Sequence, residues 1–197
     1  MARSARIPLK SFSLTSENRR IAKKFDEEFL CKLFNIHDFD IKNKEFISFC
    51  VEYFAKRHGP YVMPKNRILA ILESGLITHI TVYYNNKQPV AYVFEVSNDS
   101  MTHFWFSFYN LDYIHQSLGM WLMLNSARMA KEHGIEYFYV GTVYGEKALY
   151  KTAFKSIEHW SGDDWISDIK KLKALSRTDK NRATEMVDAW KNGMETY

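Results

Sequence analysis

Residues 104–160, FWFSFYNLDYIHQSLGMWLMLNSARMAKEHGIEYFYVGTVYGEKALYKTAFKSIEHW, contain the pattern that decides the fold. The stretch begins inside an aromatic-rich strand, and Ser117-Leu118-Gly119 follows as a turn. Apolar residues lie around most of the circumference of a predicted helix at 117–133, so this helix should be buried against a sheet. A short strand at 136–140 and a tyrosine-bearing helix at 146–153 come next. Because a crossover helix joins parallel strands, we expect one parallel strand pair here.

A set of three strands is predicted at 77–84, 89–96 and 101–108, and the last is the strand in which the stretch above begins. All three are rich in β-branched and aromatic residues and are separated by two polar loops. Short connections of this kind are typical of an antiparallel meander. In the middle strand both faces are apolar, with Tyr92 on one side and Ala91 on the other. Helices should therefore cover both faces of the sheet.

Helices are predicted ahead of the meander. The clearest one starts at Asn43 and is ended by Gly59, and its apolar stripe recurs with helical spacing. The residues of that stripe are Phe46, Phe49, Cys50, Tyr53 and Phe54. A shorter helix is expected at 65–74, with Gly75 as a left-handed cap, and another begins at Ser16.

The predicted fold class is α+β, a mixed α/β arrangement with a mostly antiparallel central sheet, helices on both faces and a helical C-terminal tail. A chain of 197 residues with 46% apolar residues builds one core, so we expect a single domain over 1–197. Its parts are an extended arm at 1–15, a core at 16–165 that ends with a strand at 154–160, and a tail at 166–197. The tail has apolar residues at helical spacing, namely Ala183, Met186, Val187 and Trp190.

Composition bears on location and on metal chemistry. The sequence has no window of eighteen uninterrupted apolar residues, and its first residues lack the apolar core of a secretory signal. We therefore expect a cytoplasmic protein without a membrane partner. Cys31 and Cys50 have neither CxxC spacing nor paired histidines, which predicts two reduced, half-buried thiols and no metal site.

The net charge of +4 is too small to indicate a nucleic-acid partner by itself. The distribution is more suggestive, because Arg19, Arg20, Lys23 and Lys24 cluster, and a second basic cluster lies at 170–182. Solvated basic helix faces explain the same clusters, and on charge alone that explanation is slightly favoured.

Three blocks in the opening stretch, SLGMWLML, YFYVG and KALYKTAFKSIE, resemble the corresponding blocks of the arginyl/leucyl-tRNA-protein transferases. The order of helices and strands is similar to that of the Gcn5-related N-acyltransferase superfamily. The resemblance covers about 16–165 and implies a fold in which two central strands splay apart around the donor carbonyl. It also implies that charged tRNA is the co-substrate, without a metal or organic cofactor. An amino acid, arginine or leucine, would move to an acceptor amine on a protein N-terminus, a peptide or a small molecule.

The turn before the buried helix resembles the donor-binding turn of this superfamily. In its acetyltransferases the turn has the pattern Gln/Arg-x-x-Gly-x-Gly/Ala and holds the pyrophosphate of coenzyme A, and Gln116 and Gly119 match it. Trp121 departs from the pattern where a small residue is expected, which argues against coenzyme A. The resemblance therefore implies that Gln116, Ser117, Leu118 and Gly119 bind a phosphate near the terminal adenosine of tRNA. Gly119 as a simple packing glycine is the alternative.

Two residues are candidates for catalysis. Tyr150, in the motif Lys-x-x-Tyr-Lys, would donate a proton to the leaving ribose oxygen or orient the adenosine. Asp112, after the third meander strand, would orient or deprotonate the incoming amine, or pair with an arginyl side chain of the donor. A tyrosine packed at the sheet rim and a turn-capping aspartate are the alternatives. Lys147 and Lys151 would contact tRNA phosphates or be ordinary exposed lysines.

The resemblance assigns the remaining site residues. Arg19 and Arg20 match an Arg-Arg segment of the family and would grip phosphates. The pocket for the transferred amino acid would contain Phe108, Tyr109, Tyr139, Gly141 and Thr142. Thr142 and the residue after it replace an aromatic pair of the family, which leaves the transferred amino acid undecided.

The cysteine-rich module with which the full transferases begin has no counterpart in this sequence. A partner subunit replacing that module, or a different acceptor, is therefore expected. The leading hypothesis is an aminoacyl-tRNA-dependent aminoacyltransferase. The alternatives are an acyl-CoA-dependent N-acyltransferase, for which acetyl-CoA would be the donor, and a tRNA-binding module that has lost turnover.

Overall fold

Eight strands form one sheet in the computed structural model, which describes residues 3–179. The strands are β1 (Ser4–Pro8), β2 (Leu30–Asn35), β3 (His79–Asn85), β4 (Gln88–Ser97), β5 (Met101–Tyr109), β6 (Tyr137–Thr142), β7 (Glu158–Trp160) and β8 (Trp165–Ile166). Their order across the sheet is β2-β3-β4-β5-β6-β1-β7-β8. Within the described residues, β5 and β6 pair in parallel and the other neighbours pair antiparallel. The predicted mixed, mostly antiparallel fold is confirmed.

Four α-helices accompany the sheet between residues 16 and 132. They are α1 (Ser16–Phe25), α2 (Lys44–His58), α3 (Lys65–Leu72) and α4 (Leu118–Glu132). Three 3₁₀ segments lie between them and after them, at Ile36–Asp38, Leu111–Gln116 and Glu146–Ala153, and residues 169–179 are helical. None of the described helices combines the length and apolarity needed to cross a bilayer.

The predicted helix boundaries follow from capping residues. The Asn43 side chain accepts the backbone N–H of Phe46 at 3.0 Å and starts α2, and Gly59, with φ of 103°, ends it. Gly75 has φ of 72° just after α3, as expected of a left-handed cap. These predictions are confirmed because each depends on neighbouring residues alone.

The meander β3-β4-β5 is covered on both faces, as predicted. On one face Phe46 of α2 packs against Tyr92 of β4, with ring centroids 4.9 Å apart. On the other, Trp121 of α4 packs against Tyr83 of β3 at 5.3 Å. All four aromatic side chains are buried, so the sheet is the central layer between two helical layers.

The parallel pair β5–β6 is short. Cα partners are Met101 with Tyr137, Thr102 with Phe138, and His103 with Tyr139, and the pairing ends there although both strands continue. The two strands therefore diverge beyond His103 and Tyr139. This divergence opens a gap in the middle of the sheet.

The prediction of an extended arm at 1–15 is wrong. Residues Ser4–Pro8 form β1, which pairs with β6 on one side and β7 on the other, and Ala5 and Ile7 are completely buried. Ala5, Ile7 and Leu9 do alternate, but Arg6 and Pro8 conceal so short a pattern. Strand β2 was not predicted at all, because it is an edge strand whose side chains are mostly exposed.

Other predictions need smaller corrections. The segment at 146–153 is a 3₁₀ helix instead of an α-helix, and the last predicted strand shrinks from 154–160 to Glu158–Trp160. Cys31 is exposed and Cys50 is buried, so neither thiol is half-buried as predicted. The predicted tail helix around 183–190 lies outside the described residues.

Candidate active site

A cleft of about 1080 Å³ occupies the gap between β5 and β6. It is bounded by these two strands, the end of α2, the beginning of α4 and the 3₁₀ segment Glu146–Ala153. Aromatic side chains make up much of its wall. They are Tyr53, Phe54, Phe104, Trp105, Phe106, Tyr109, Tyr139, Tyr144 and Tyr150. A concave, largely apolar site with a few polar groups is typical of a small-molecule or substrate-binding pocket.

The charged groups of the cleft all have the same sign. Arg57, Lys147 and Lys151 line it together with His58 and His103, and no Asp or Glu belongs to its lining in the described part of the chain. Such a site attracts anionic groups. It offers no partner for a buried positive charge, which would therefore be costly to place there.

The beginning of α4 presents free backbone donors to the cleft. Ser117 is left-handed, with φ of 67° and ψ of 26°, and its carbonyl accepts the N–H groups of Met120 and Trp121, each at 3.1 Å. Between residues 3 and 179 the N–H groups of Leu118 and Gly119 have no acceptor. Ser117 and Gly119 line the cleft, so this helix end suits an anionic group of a ligand.

Gly119 also packs tightly. A Cβ atom at this position would lie 3.2 Å from Cε1 of Tyr109, closer than ordinary van der Waals contact. Tyr109 is itself buried against Tyr53, with ring centroids 4.9 Å apart, so it has little room to move. Gly119 therefore leaves room for Tyr109, and it also lines the cleft.

Trp121 does not obstruct this turn. Its ring packs between Phe25 and Tyr83, at 5.7 and 5.3 Å, and its Nε1 donates to Asp26 Oδ1 at 2.8 Å. The side chain is buried between α1, α4 and the sheet, away from the cleft lining. The argument from sequence that its bulk opposes coenzyme A is therefore not supported by its position.

Tyr150 lines the cleft from the 3₁₀ segment Glu146–Ala153. Desolvation raises the pKa of its phenol above the usual value of 10, and the neighbouring Tyr109 adds to the shift. The phenol is consequently protonated at neutral pH and is able to donate a hydrogen bond or a proton.

Lys151 and His103 meet at Gly141. Lys151 Nζ donates to the carbonyl of Thr142 at 2.9 Å, and desolvation lowers the pKa of this lysine to about 8. A Cβ atom on Gly141, where φ is +81°, would lie 3.4 Å from Lys151 Nζ and 3.7 Å from His103 Nε2. The two side chains therefore converge at the point where β5 and β6 separate.

Comparison with known proteins agrees with this architecture. Residues 55–155 match the family model described as an acetyltransferase (GNAT) domain. The chain belongs to this family. The matched range includes the end of α2, both diverging strands and the segment that carries Tyr150, so the cleft described above is formed largely within the GNAT domain.

The chain is also similar to individual proteins of known name or structure. The chain is 27% identical to an aspartate/glutamate leucyltransferase from Methylorubrum extorquens (strain PA1), over 83% of this chain and 71% of that protein. Two solved structures share the fold at low identity. One is the C-terminal domain of a provisionally named lysylphosphatidylglycerol synthetase from Agrobacterium fabrum, with TM-score 0.55, 14% identity and 78% of this chain covered. The other is L-PGS from Bacillus licheniformis, with TM-score 0.57, 12% identity and 89% covered. This chain spans 50% and 65% of those two structures.

Most of the residues predicted from sequence come together in the GNAT cleft. They are Tyr109, Ser117, Gly119, Tyr139, Gly141, Thr142, Lys147, Tyr150 and Lys151. Phe108 and Leu118 are buried in the core beside it, and Gln116 is half-buried outside the lining. The roles assigned to these residues remain predictions.

Three predicted site residues lie elsewhere. Asp112 is exposed on the 3₁₀ segment Leu111–Gln116, where its carboxylate accepts a hydrogen bond from Nδ2 of Asn110 at 3.1 Å; the residue that caps the turn is Asn110, which accepts the Asp112 backbone N–H at 3.0 Å. Arg19 and Arg20 are exposed on α1, where Arg19 donates to the Leu14 carbonyl at 2.8 Å and Arg20 pairs with Glu17 at 2.6 Å. None of the three belongs to the cleft lining.

Several cleft residues were not among those predicted from sequence, notably Arg57, His58 and His103. Arg57 and His58 end α2, and their contribution to the site depends on how that helix packs across the sheet. His103 was predictable in part. Its alternation with Thr102 and Phe104 places it on the opposite face of β5 from those buried residues.

Proposed function

We propose that this GNAT-family chain is an aminoacyl-tRNA-dependent aminoacyltransferase that moves leucine from charged tRNA to the α-amine of an acceptor that begins with aspartate or glutamate. The observation that carries the proposal is the 27% identity to an aspartate/glutamate leucyltransferase over 83% of the chain. The cleft between the diverging strands provides a site of suitable size and polarity for both substrates.

Leucine is favoured over arginine by the lining of the cleft. A bound arginyl side chain requires a carboxylate or a comparable acceptor to compensate its buried charge. The described lining has no Asp or Glu, whereas Met101, Met120 and Met123 add adaptable apolar surface to the aromatic wall. An aliphatic side chain fits this environment without an unpaired charge.

The acceptor class follows from the same charges. Arg57, Lys147 and Lys151 give the cleft a positive potential that attracts an acidic peptide terminus. The relative's name specifies aspartate and glutamate, which agrees with this sign of charge. A neutral or basic acceptor gains nothing from these three groups.

The chemistry we infer rests mainly on positioning. The facing edges of β5 and β6 do not pair beyond His103 and Tyr139, which leaves backbone groups free to bind the ester carbonyl oxygen. The free N–H groups of Leu118 and Gly119 would hold a phosphate of the tRNA end. Tyr150, protonated at neutral pH, would donate to the ribose oxygen as it leaves.

The experiment that tests this proposal is competitive retention of charged tRNA. The purified protein is incubated with total aminoacyl-tRNA, and the retained tRNA is sequenced and its amino acid identified. We expect enrichment of leucyl-tRNA over arginyl-tRNA. Uncharged tRNA is the control, because the proposal requires the aminoacyl group to contribute to binding. Retention without preference for any amino acid would contradict the proposed donor.

A second candidate function is acyl-CoA-dependent N-acyltransfer. The GNAT family assignment supports it, as do the positions of Gly119 and Tyr150 at the cleft and of Trp121 away from it. Saturable binding of acetyl-coenzyme A without tRNA retention would favour this candidate. Specific retention of charged tRNA without any transfer would instead identify a tRNA-binding module that has lost turnover.

A further inference from the structure

The reaction proposed above consumes an amine, and an α-amine with a pKa near 8 is mostly protonated at neutral pH. A group at the cleft that accepts a proton from the ammonium therefore increases the amount of nitrogen able to attack. Asp112 was the predicted base, but it lies outside the cleft lining and is engaged with Asn110. We propose that His103 is the catalytic base, with its imidazole accepting the proton of the acceptor ammonium. The assignment requires an amine acceptor and does not depend on which acyl donor is used.

The position of His103 is decided by the sheet. It occupies the last position of β5 that pairs with β6, opposite Tyr139, immediately before these two strands separate. Its Nε2 atom lies 3.7 Å from where a Cβ of Gly141 would be. The glycine thus keeps this part of the cleft open in front of the imidazole. An amine held in the gap between the strands would be adjacent to this nitrogen.

The imidazole of His103 is available to a ligand as far as the described residues are concerned. Neither ring nitrogen of His103 has a hydrogen-bond partner among residues 3–179, and its ring contact is with Tyr139 at 6.5 Å. His79, by contrast, is a half-buried strand histidine whose Nδ1 lies 3.0 Å from Thr78 Oγ1. A half-buried histidine with both nitrogens free and facing a cleft is available for a ligand.

Burial and a neighbouring positive charge favour the neutral form of the His103 imidazole. Burial and the positive charge of Lys151 both lower the pKa of the imidazole, so it is deprotonated at neutral pH. Lys151 faces it from the 3₁₀ segment Glu146–Ala153, and Tyr139 faces it from β6. The other titratable groups that line the cleft in residues 3–179 are Tyr53, Arg57, His58, Tyr109, Tyr144, Lys147 and Tyr150.

Lys151 is a poorer candidate for the base. Its pKa of about 8 leaves it mostly protonated at neutral pH, and its ammonium donates to the Thr142 carbonyl at 2.9 Å. A lysine in this state repels the acceptor ammonium and favours its deprotonation. The positive charge of Lys151 therefore lowers the pKa of His103 and disfavours the ammonium form of the acceptor.

The proton balance of the step is complete with groups already described. The acceptor ammonium gives one proton to Nε2 of His103, and the neutral nitrogen attacks the ester carbonyl. The new C–N bond forms and the C–O bond to the ribose breaks. Tyr150 gives its proton to the ribose oxygen as that oxygen leaves, and the resulting phenolate takes the second proton of the nitrogen. The imidazolium releases its proton to solvent, so one proton is released for each amide formed.

The test is the His103→Gln variant, with His79→Gln on β3, two strands away in the same sheet, as the matched control. We expect H103Q to slow single-turnover transfer by about tenfold or more at pH 7, because only about a tenth of the amine is free there, with the donor dissociation constant changed by less than about twofold. H79Q should retain the wild-type rate. In H103Q the remaining rate should rise about tenfold per pH unit up to about pH 8, as free amine accumulates, whereas the wild-type rate levels off earlier.

Chemical rescue separates catalysis from structural damage. His103→Ala should regain transfer when imidazole is added, because the added base fits the vacated space. A wild-type rate and pH profile in H103Q, or loss of transfer in H103A without rescue by imidazole, would overturn the assignment. If the wild-type protein transfers only from acetyl-coenzyme A, the proposed function fails. The same variants then test His103 with that donor, since the amine must still lose its proton.

Discussion

Replacing Glu95 by glutamine should stabilise the protein at pH 8 and have much less effect at pH 5. Glu95 lies on β4 beneath α4, is only 5% exposed and accepts a hydrogen bond from Thr81 Oγ1 at 3.3 Å. Burial raises the pKa of this carboxyl from 4.5 to about 7, because desolvation disfavours the charged form. It is a buried acid outside the cleft lining, so its substitution tests the physics of the core separately from catalysis.

The sign of the pH dependence follows from this shift. The folded state holds the proton more tightly than the unfolded state, so the stability gained is complete below about pH 4.5 and is lost as pH rises through about 7. A shift of this size corresponds to ~3 kcal/mol of unfolding free energy between those limits. The glutamine variant avoids the loss but leaves a buried amide imperfectly bonded, at a cost of ~1 kcal/mol.

Urea denaturation at pH 5 and pH 8 measures the effect. We expect E95Q to exceed the wild type by ~2 kcal/mol at pH 8, and to lose most or all of that advantage at pH 5, with unchanged m-values. Glu52→Gln, on the exposed face of α2, is the control and should change stability by no more than about 0.5 kcal/mol at either pH. The reasoning is refuted if E95Q is destabilised equally at both pH values.

Three further predictions concern the site. Gly119→Asp should abolish donor binding, because it adds a negative charge at the anion site as well as the clash with Tyr109. Gly119→Ala adds only the clash and should weaken binding less. Isothermal titration calorimetry measures the donor dissociation constant of both variants. Tyr150→Phe should lower the transfer rate at least about tenfold while the donor dissociation constant changes little, as single-turnover kinetics will show. Replacing Arg19 and Arg20 together by alanine should weaken tRNA binding and reduce the slope of log K against log salt by about two, and an unchanged slope would remove them from the tRNA site.

Local residue patterns predicted most of the fold. Helix ends are set by single residues: Asn43 through its side-chain hydrogen bond, and Gly59 and Gly75 through their positive φ angles. Such ends are predictable from the sequence alone. The meander was also predictable, because its strands are consecutive in the sequence and its middle strand is apolar on both faces. Strand β1 could not be found in this way. Its partners lie more than a hundred residues away, and pairing across such distances leaves little mark on five residues.

The candidate site was predicted less completely for the same reason. Motif positions led to Gly119, Tyr150 and Lys151, and the structure brings these three to one cleft. A motif does not specify the direction of a side chain, and Trp121 turns toward α1 instead of the donor turn. His103 belongs to no motif. It becomes a candidate only when the register of β5 and β6 places it where the strands diverge.

The most direct measurement of the central claim is product mass after transfer from a single charged tRNA. Purified protein is incubated with leucyl-tRNA and a peptide that begins with aspartate, and the peptide is analysed by intact mass spectrometry. The account predicts a mass increase of one leucyl residue on the α-amine, which is lost when the tRNA is deacylated beforehand. An unmodified peptide with leucyl-tRNA, together with acetylation when acetyl-coenzyme A is supplied instead, would contradict it.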